Sequence, residues 1–348
     1  MTLENSRIVQ FSDSQKHQLC IKLVNKLLKK QIDYMNIQME SYNQVFSIDE
    51  STPSWQTRLV ICLLRLLKIK QKKASVPAVK KRLQKLKIQP ASYEPKGLGS
   101  GIEVMLKHIN EWPVYYTTPY SNSSIDSYVI FLHGGGYIDE IVPGHWKIIG
   151  EMNRKGKIGC IVPIYPLAPE ATADKVVPAM GELLLKVFEE VGTKKVSIVG
   201  NSAGAALALA STQWLRDHDF RLPDKLVLIS AGLDASYITQ EQQEIAKIDP
   251  LLDIEGALYG AKLYAGDLDL NHPFVSPLNG DLHKLPPMLI FAGTLDFLYP
   301  NSIELKRKAE SVGVKVDLYL KKGQPHNYPG LPTPEGKEAL KVIINTIC

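Results

Sequence analysis

The stretch VSIVGNSAGAALALA, residues 196–210, decides the fold. The apolar run Val196–Val199 predicts a buried strand, and the alanine-rich end of the stretch predicts a helix. Between the two lies the tight turn GNSAG at 200–204. A strand that turns sharply into a helix strains its central residue and requires small neighbours two positions before and after it. Gly200 and Gly204 meet this requirement.

The same alternation of strand and helix continues over residues 101–348. It predicts an α/β fold with a roughly eight-stranded, mostly parallel sheet and helices on both faces. The first two strands lie close enough in sequence to form an antiparallel hairpin. The predicted strands are Val104–Ile109, Trp112–Thr117, Tyr128–Leu132, Ile158–Pro163, Val196–Val199, Leu226–Ile229, Met288–Ala292 and Val316–Leu320. The predicted helices between the later strands are Ala179–Val191, Ala203–His218 and Ser302–Val312.

The charge distribution divides the chain. The whole chain has 41 basic and 36 acidic residues and a net charge of +5. Residues 1–100 alone contain 18 of the basic residues and only 7 of the acidic ones. Such a break in composition indicates units with different tasks. We predict a basic helical cap or lid over residues 1–100 and a catalytic domain over 101–348, with a cap insertion at about 230–285. Helical spacing in the first unit predicts helices over 18–46, 55–73 and 76–87.

The cysteines and the chain's first residues suggest a cytoplasmic protein. The four cysteines fit no metal-ligand spacing and predict unpaired thiols in a reducing compartment: Cys20, Cys62, Cys160 and Cys348. The stretch Met1–Gln10 contains no apolar segment typical of a signal peptide. The longest apolar run, Leu59–Leu67, contains Arg65 and is shorter than the ~20 residues of a membrane span.

Ser202 is the candidate nucleophile. A serine hydroxyl reacts poorly unless it is exposed to a base, and a sharp strand–turn–helix presents it that way. An ordinary glycine-rich turn or a phosphate loop is the alternative for this segment. The lysine and further glycines that a nucleotide loop needs are missing here.

A glycine run follows the strand Tyr128–Leu132. His133-Gly134-Gly135-Gly136 leaves backbone N–H groups free to face a cavity. Fixed donors aimed at a developing oxyanion accelerate acyl transfer by ~10²–10³ each. We assign an oxyanion hole to the N–H groups of Gly135, Gly136 and Ala203. His133 and Gly134 then have supporting roles in shaping the loop, unless the run is simply a flexible loop.

Two later residues complete the constellation. Asp296 follows the strand Met288–Ala292, and His326 follows Val316–Leu320. Both lie past the carboxyl ends of their strands, where parallel sheets build their sites. The order Ser, acid, His is one of the known orders of a catalytic triad. A turn-forming aspartate and a solvated loop histidine are the simpler explanations.

The motifs together resemble the hormone-sensitive-lipase-like family of α/β-hydrolases. They are HGGGY at 133–137, YPLAPE at 165–170, GNSAG at 200–204, SPL at 276–278, GTLD at 293–296 and PHN at 325–327. The resemblance covers about residues 100–348. It implies a carboxylesterase or lipase that prefers short or medium acyl chains and needs neither metal nor other cofactor.

The chain departs from the family's pattern at four places. Asn201 stands where Asp or Thr is common, and Pro166 stands where Arg is usual. The residue after the candidate base is Asn327 in place of glycine. A second aspartate is missing after Asp296, where Leu298-Tyr299-Pro300 follow. No departure removes a triad group or an oxyanion donor, so the expected reaction type is unchanged.

Other functions stay open. The chain could be a relative that binds small molecules without catalysis, although relatives of that kind lack the histidine retained here at 326. It could also act as a lipase at a membrane surface, with peripheral contact through basic helices that include Lys22–Lys30 and Lys68–Lys73. No aromatic interleaving or reading motif suggests nucleic-acid binding. The expected partner is a small-molecule ester.

Overall fold

A computed structural model describes residues 48–88, 95–120, 125–236 and 239–347 of the chain. The chain divides into the units Met1–Ile48 and Asp49–Cys348, and all of the described residues except Ile48 belong to the second. The helix predicted over 18–46 and two of the four cysteines lie outside the described residues. Within them, Cys62 and Cys160 are both free thiols.

A nine-stranded sheet forms the centre of the fold, in the spatial order β1-β9-β8-β7-β6-β4-β5-β3-β2. β3 pairs antiparallel with β2 and β5, and neighbouring strands from β4 to β9 are parallel. The predicted fold class and hairpin are confirmed, with a two-residue β1 added at the edge. The strands are β1 (Ile48–Asp49), β2 (Ile102–Ile109), β3 (Trp112–Pro119), β4 (Ser127–Leu132), β5 (Gly159–Pro163), β6 (Lys195–Asn201), β7 (Lys225–Ile229), β8 (Met288–Gly293) and β9 (Val316–Lys321).

The helices predicted between the later strands are present, although one begins at Ala173, six residues before its predicted start at Ala179. The helices Pro143–Gly156 and Pro334–Ile347 were not among those predicted. The helix predicted over residues 55–73 is divided near Lys68. That residue has a left-handed φ of 52°, and it ends the helix predicted to run from 55 to 73. Its N–H donates at 3.0 Å to the O of Arg65, three residues earlier and not four as in an α-helix. This bond closes the last turn of the helix. The helices are α1 (Trp55–Leu66), α2 (Ile69–Lys73), α3 (Val76–Ile88), α4 (Pro143–Gly156), α5 (Ala173–Val191), α6 (Ala203–Asp217), α7 (Gln240–Ile248), α8 (Ile254–Ala265), α9 (Tyr299–Ser311) and α10 (Pro334–Ile347).

Helices cover the sheet on both faces. α5 and α6 bury one face, and α4 and α10 bury the other. All six residues of β8 are buried, as expected for a strand covered on both sides. Because β4, β6, β8 and β9 are parallel, the loops that follow them lie at one edge of the sheet. These loops contain Ser202, Asp296, His326 and the run His133–Gly136, while Gly200 is the second-last residue of β6 and Ala203 and Gly204 begin α6.

The helices before residue 100 pack on the insertion after β7. Arg65 donates from Nη2 to Ile248 O at 3.0 Å, and Lys70 donates from Nζ to Ala246 O. At Gly256 on α8, a Cβ atom would lie 1.6 Å from Ala74 O, so only glycine allows this approach. Residues 49–88 and 95–100 thus belong to the same compact unit as the sheet, while the role of this region as a lid stays a prediction.

No described helix is both long and apolar enough to cross a membrane.

Candidate active site

Ser202 lies at the turn between β6 and α6. Its φ is 54° and its ψ is −118°, a strained conformation for a residue with a side chain. The turn is held where the Ser202 N–H donates to Ile229 O at 2.8 Å. A Cβ atom at Gly200 would lie 2.4 Å from Ala205 Cα, and one at Gly204 would lie 2.2 Å from Leu132 O. Both positions therefore require glycine, because the sharp turn from strand to helix leaves no room for a side chain two residues before or after Ser202.

The three predicted triad residues lie side by side. Ser202 Oγ is 3.1 Å from His326 Nε2, and His326 Nδ1 is 2.8 Å from Asp296 Oδ2. An ionised carboxylate only accepts hydrogen bonds, so Nδ1 carries the ring proton and donates a hydrogen bond to Asp296. Nε2 is then free to accept the hydroxyl hydrogen of Ser202. Asp296 is fully buried, and its Oδ1 accepts the Leu298 N–H at 3.0 Å, which fixes the carboxylate's orientation.

The surroundings of His326 stabilise its protonated form. Burial acts to lower the pKa of His326, but the charge and hydrogen bond of Asp296 and the charge of Asp249 raise it above 6.5. A base with a raised pKa takes a proton more readily. Below that pKa, however, the ring is already protonated and cannot accept the proton of Ser202.

The glycine run after β4 lies in the same cavity as Ser202. Gly135 and Gly136 have φ values of 131° and 59°, which favour glycine. The Gly135 carbonyl accepts the Asp139 N–H at 2.9 Å and holds the loop. In the described part of the chain, the N–H groups of Gly135, Gly136 and Ala203 have no hydrogen-bond acceptor. The arrangement could therefore offer donors to a negatively charged oxygen, as predicted for these residues.

His133 supports the glycine loop. It is fully buried, and its Nδ1 donates to Gly134 O at 2.8 Å. Its ring stacks on Tyr165 with 4.3 Å between centroids, and its carbonyl accepts the Tyr165 hydroxyl at 2.6 Å. Burial lowers the pKa of His133 to about 3, so the ring is neutral at physiological pH. Nothing in this geometry brings it to Ser202 as a base.

Two of the residues that depart from the family pattern, Asn201 and Asn327, are joined by a hydrogen bond. Asn201 donates from Nδ2 to Asn327 Oδ1 at 2.8 Å. Asn201 Oδ1 accepts from His145 Nε2 at 3.2 Å, because His145 Nδ1 accepts the Val142 N–H and so carries no proton. Burial lowers the pKa of His145 to about 4, which keeps the ring neutral. His145 lies on α4, and no sequence motif marks it as part of the site.

The second carboxylate near the triad comes from the insertion. Asp249, at the end of α7, accepts the Phe297 N–H on Oδ2 at 3.1 Å, and its Oδ1 accepts from Leu251 and Leu252. Burial and the charge of Asp296 raise the pKa of Asp249 to about 6. Asp249 thus holds the loop that carries Asp296. It lies 47 residues earlier in the chain, and no sequence signal indicated it.

These residues surround a cavity of about 460 Å³. Its floor contains Ser202, His326 and the glycine run. Its walls are mainly apolar and come from the helices before residue 100, from the insertion and from the loop after β8. The wall residues include Ile69, Val79, Leu251, Leu252, Ala257, Ala261, Phe297 and Leu298. The cavity thus combines an apolar wall with a polar floor, which suits a largely apolar small molecule.

The fold and the serine at a strand–helix turn define the class of α/β-hydrolases. The chain belongs to the family described as alpha/beta hydrolase fold, whose profile matches residues 129–330. This membership confirms the α/β-hydrolase fold that the motifs indicated.

Named relatives share the central part of the chain. A triacylglycerol lipase of Mycobacterium tuberculosis is 32% identical over 249 residues, covering 69% of this chain and 52% of the relative. An esterase of Acinetobacter venetianus is 30% identical over 227 residues, covering 64% and 75%. The solved structure of an esterase/lipase from an uncultured bacterium has 25% identity and a TM-score of 0.72, covering 84% of this chain and 98% of that one. The match thus spans about half the length of the mycobacterial relative.

Proposed function

We propose that this chain is a serine hydrolase that cleaves carboxylic esters of short to medium acyl chains through an acyl-enzyme intermediate. The observation that carries the proposal is the continuous contact from Ser202 Oγ through His326 to Asp296, at 3.1 and 2.8 Å. The names of the relatives, an esterase and a triacylglycerol lipase, support ester hydrolysis as the reaction.

Acylation begins at the serine hydroxyl. Ser202 Oγ attacks the ester carbonyl while His326 Nε2 takes its proton. Asp296 keeps the proton on Nδ1 and stabilises the imidazolium that forms. The tetrahedral intermediate collapses as the C–O bond to the alcohol breaks, and His326 gives the proton to the departing alcohol oxygen. The acyl group is then bound to Ser202 as an ester.

Deacylation repeats these steps with water. His326 removes a proton from a water molecule, whose oxygen attacks the acyl carbonyl. The bond between the acyl carbon and Ser202 Oγ then breaks, His326 returns the proton to Oγ, and the carboxylic acid leaves. In both tetrahedral intermediates a negative charge develops on the former carbonyl oxygen. The unpaired N–H groups of Gly135, Gly136 and Ala203 are the donors we assign to that charge. A fixed oxyanion hole needs no reorganisation when the charge appears.

The expected chain-length preference follows from the cavity. A volume of about 460 Å³ with apolar walls favours an acyl group or alcohol of modest size. Longer acyl chains would have to leave the cavity and lose part of their apolar contact. We therefore expect p-nitrophenyl butyrate or hexanoate to be hydrolysed with higher kcat/KM than the palmitate.

The decisive experiment replaces the nucleophile. Ser202→Ala should lower the hydrolysis of p-nitrophenyl butyrate by ~10⁴-fold or more and abolish labelling by a fluorophosphonate, with the fold preserved. Ser211→Ala is the matched control, because Ser211 is a buried serine further along α6 whose hydroxyl has no hydrogen-bond partner among the described residues. It should leave both measurements unchanged.

Two results would contradict the proposal. Hydrolysis that continues in Ser202→Ala would exclude Ser202 as nucleophile. A wild-type chain that neither hydrolyses esters nor reacts with the fluorophosphonate, yet binds small molecules, would favour a binding protein without catalysis.

A further inference from the structure

The helix α1 exposes an apolar face. Five large apolar side chains on this helix and directly after it are between 45% and 73% exposed. We call them the apolar face: Trp55, Leu59, Leu63, Leu66 and Leu67. The first four recur at spacings of three or four residues, so they line one side of the helix.

The opposite side of α1 is anchored in the protein. Thr57 and Ile61 are buried, and Thr57 Oγ1 donates to Glu335 at 2.9 Å. A helix that is apolar on two sides is usually covered on both. Among the described residues nothing covers the outer side, and exposed apolar patches of this kind mark interaction or membrane sites.

The segment that carries the apolar face has charges of one sign only. Residues 51–88 contain eleven Lys and Arg residues and no Asp or Glu. Arg58, Lys68 and Lys72 are exposed next to the apolar face. Such a combination of Trp, Leu and basic side chains is typical of helices that lie on anionic membranes. A second copy of the chain is a poor occupant, because a two-fold contact would bring the same positive patches together.

The apolar face is also close to the candidate active site along the chain. It continues directly into α2, where Ile69 and Lys73 line the cavity that contains Ser202. Arg65 and Lys70 bind carbonyl oxygens of the insertion helix α7. These bonds connect the part of the cavity wall that α2 forms with the part that the insertion forms.

We propose that the apolar face of α1 docks on a lipid surface with anionic headgroups and so presents the cavity to esters in that surface. The docking itself is independent of catalysis; the delivery of lipid esters rests on the proposed function. The apolar side chains enter the boundary between headgroups and acyl chains, and the surrounding cations bind the headgroups.

The test is co-sedimentation of the full chain with large unilamellar vesicles. Vesicles of phosphatidylcholine with about 30% phosphatidylserine should bind it more strongly than pure phosphatidylcholine at about 0.1 M salt. Leu59→Ser/Leu63→Ser should weaken binding by about tenfold or more, since two partly exposed leucines lose their apolar contact. The matched control is Met105→Ser/Leu106→Ser on β2, where the two side chains are 50% and 48% exposed. It should bind as wild type does.

A charge variant separates the two contributions. Lys68→Gln/Lys72→Gln should lower binding to the anionic vesicles by about tenfold or more and leave binding to neutral vesicles unchanged. Leu59→Ser/Leu63→Ser should keep the wild-type rate on soluble p-nitrophenyl butyrate but lose rate on a vesicle-embedded ester. Ser202→Ala should bind vesicles as wild type does, so a failure of the proposed function would leave this test intact.

Three outcomes would overturn the proposal. The first is a wild-type chain that does not sediment with anionic vesicles. The second is a leucine variant that sediments as wild type does, which would leave a protein partner as the occupant. The third is a marked loss of thermal stability in the leucine variant, because the apolar face would then be packed inside the protein.

Discussion

Asn201 and Asn327 are joined by a side-chain hydrogen bond of 2.8 Å. Asn201 precedes the candidate nucleophile, and Asn327 follows the candidate base. The bond therefore connects the two backbone segments that carry Ser202 and His326. Asn201 Oδ1 is also the atom nearest to where a Cβ of Gly134 would stand, at 2.6 Å. One buried amide thus contacts the nucleophile turn, the base loop and the glycine loop.

Asn327→Gly removes this hydrogen bond and should lower kcat for p-nitrophenyl butyrate by about tenfold or more, with a smaller change in KM. The reason is that a small misplacement of Ser202 relative to His326 raises the free energy of the transition state. The backbone itself should tolerate the change, since Asn327 has a left-handed φ of 60° that suits glycine. Asn327→Asp should restore most of the rate above the pKa of His326, because its carboxylate can accept the same N–H of Asn201.

Gln213→Met is the control for the loss of a buried amide. Gln213 donates to Pro277 O at 2.9 Å and lies eleven residues after Ser202 on α6, ~16 Å along the helix axis. It should leave kcat unchanged. Equal kcat values for wild type and Asn327→Gly, or a failure of Asn327→Asp to recover activity, would remove the positioning role of this bond.

Asp249→Asn should move the acid limb of kcat/KM to lower pH. Ester hydrolysis needs neutral His326, whose pKa is raised above 6.5, so the wild-type rate should fall as pH drops through a value above 6.5. The charge of Asp249 contributes to that raised pKa, and Asp249 is ionised above about pH 6. Without the charge of Asp249 the imidazolium of His326 is less stable and its pKa falls. The acid limb of kcat/KM therefore moves to lower pH.

Asp317→Asn is the matched carboxylate control. Asp317 lies on β9 with its side chain 48% exposed, and solvent screens its charge. The pH profile of this variant should match that of the wild type. An upward movement of the limb in Asp249→Asn would contradict the electrostatic role of Asp249.

Gly134→Ala should lower kcat/KM by ~10²-fold, because the new methyl group would lie 2.6 Å from Asn201 Oδ1 and 2.8 Å from Asn201 O. The second of these atoms is a backbone oxygen of the nucleophile turn, so its displacement would also move Ser202. Gly144→Ala is the control, since a Cβ there has no atom within 4 Å. It should keep activity and raise the melting temperature slightly, as alanine favours helix. Full activity in Gly134→Ala would mean that the two loops are not in close contact.

Glu335→Ala should lower the free energy of unfolding by about 2–3 kcal/mol at pH 7. Its carboxylate accepts the Ser54 N–H at 2.5 Å, the Ser54 hydroxyl at 2.8 Å and the Thr57 hydroxyl at 2.9 Å, and so anchors the start of α1 on α10. Urea unfolding measures the loss. Glu338→Ala, at a side chain 68% exposed, should change stability by less than about 0.5 kcal/mol.

The stabilisation by Glu335 should depend on pH in one direction. Burial acts to raise the pKa of Glu335, but its hydrogen bonds with Ser54 and Thr57 outweigh this and lower it below 4.5. The contribution is therefore complete above pH 4.5 and is lost as pH falls through the pKa of the folded state. A difference between wild type and Glu335→Ala that grows on acidification would contradict this assignment.

Local sequence determined the sheet and the location of the candidate residues. Continuous apolar runs mark the parallel strands, and the run at 196–199 followed by GNSAG predicts the turn at Ser202. Since parallel strands end at one edge, the sequence also indicated that Ser202, Asp296 and His326 lie near one another. The break at Lys68 escaped prediction, because Leu67 and Lys68 continue an ordinary helical pattern and no glycine or proline marks the end.

Only the tertiary structure decided which distant groups contact this site. Asp249 and His145 belong to segments whose local pattern specifies a helix or loop and nothing more. Their contacts with Phe297 and Asn201 depend on how the insertion and α4 pack on the sheet. Hydrogen bonds and charge interactions act over a few ångströms in space, whereas sequence periodicity reports only which face of an element is apolar.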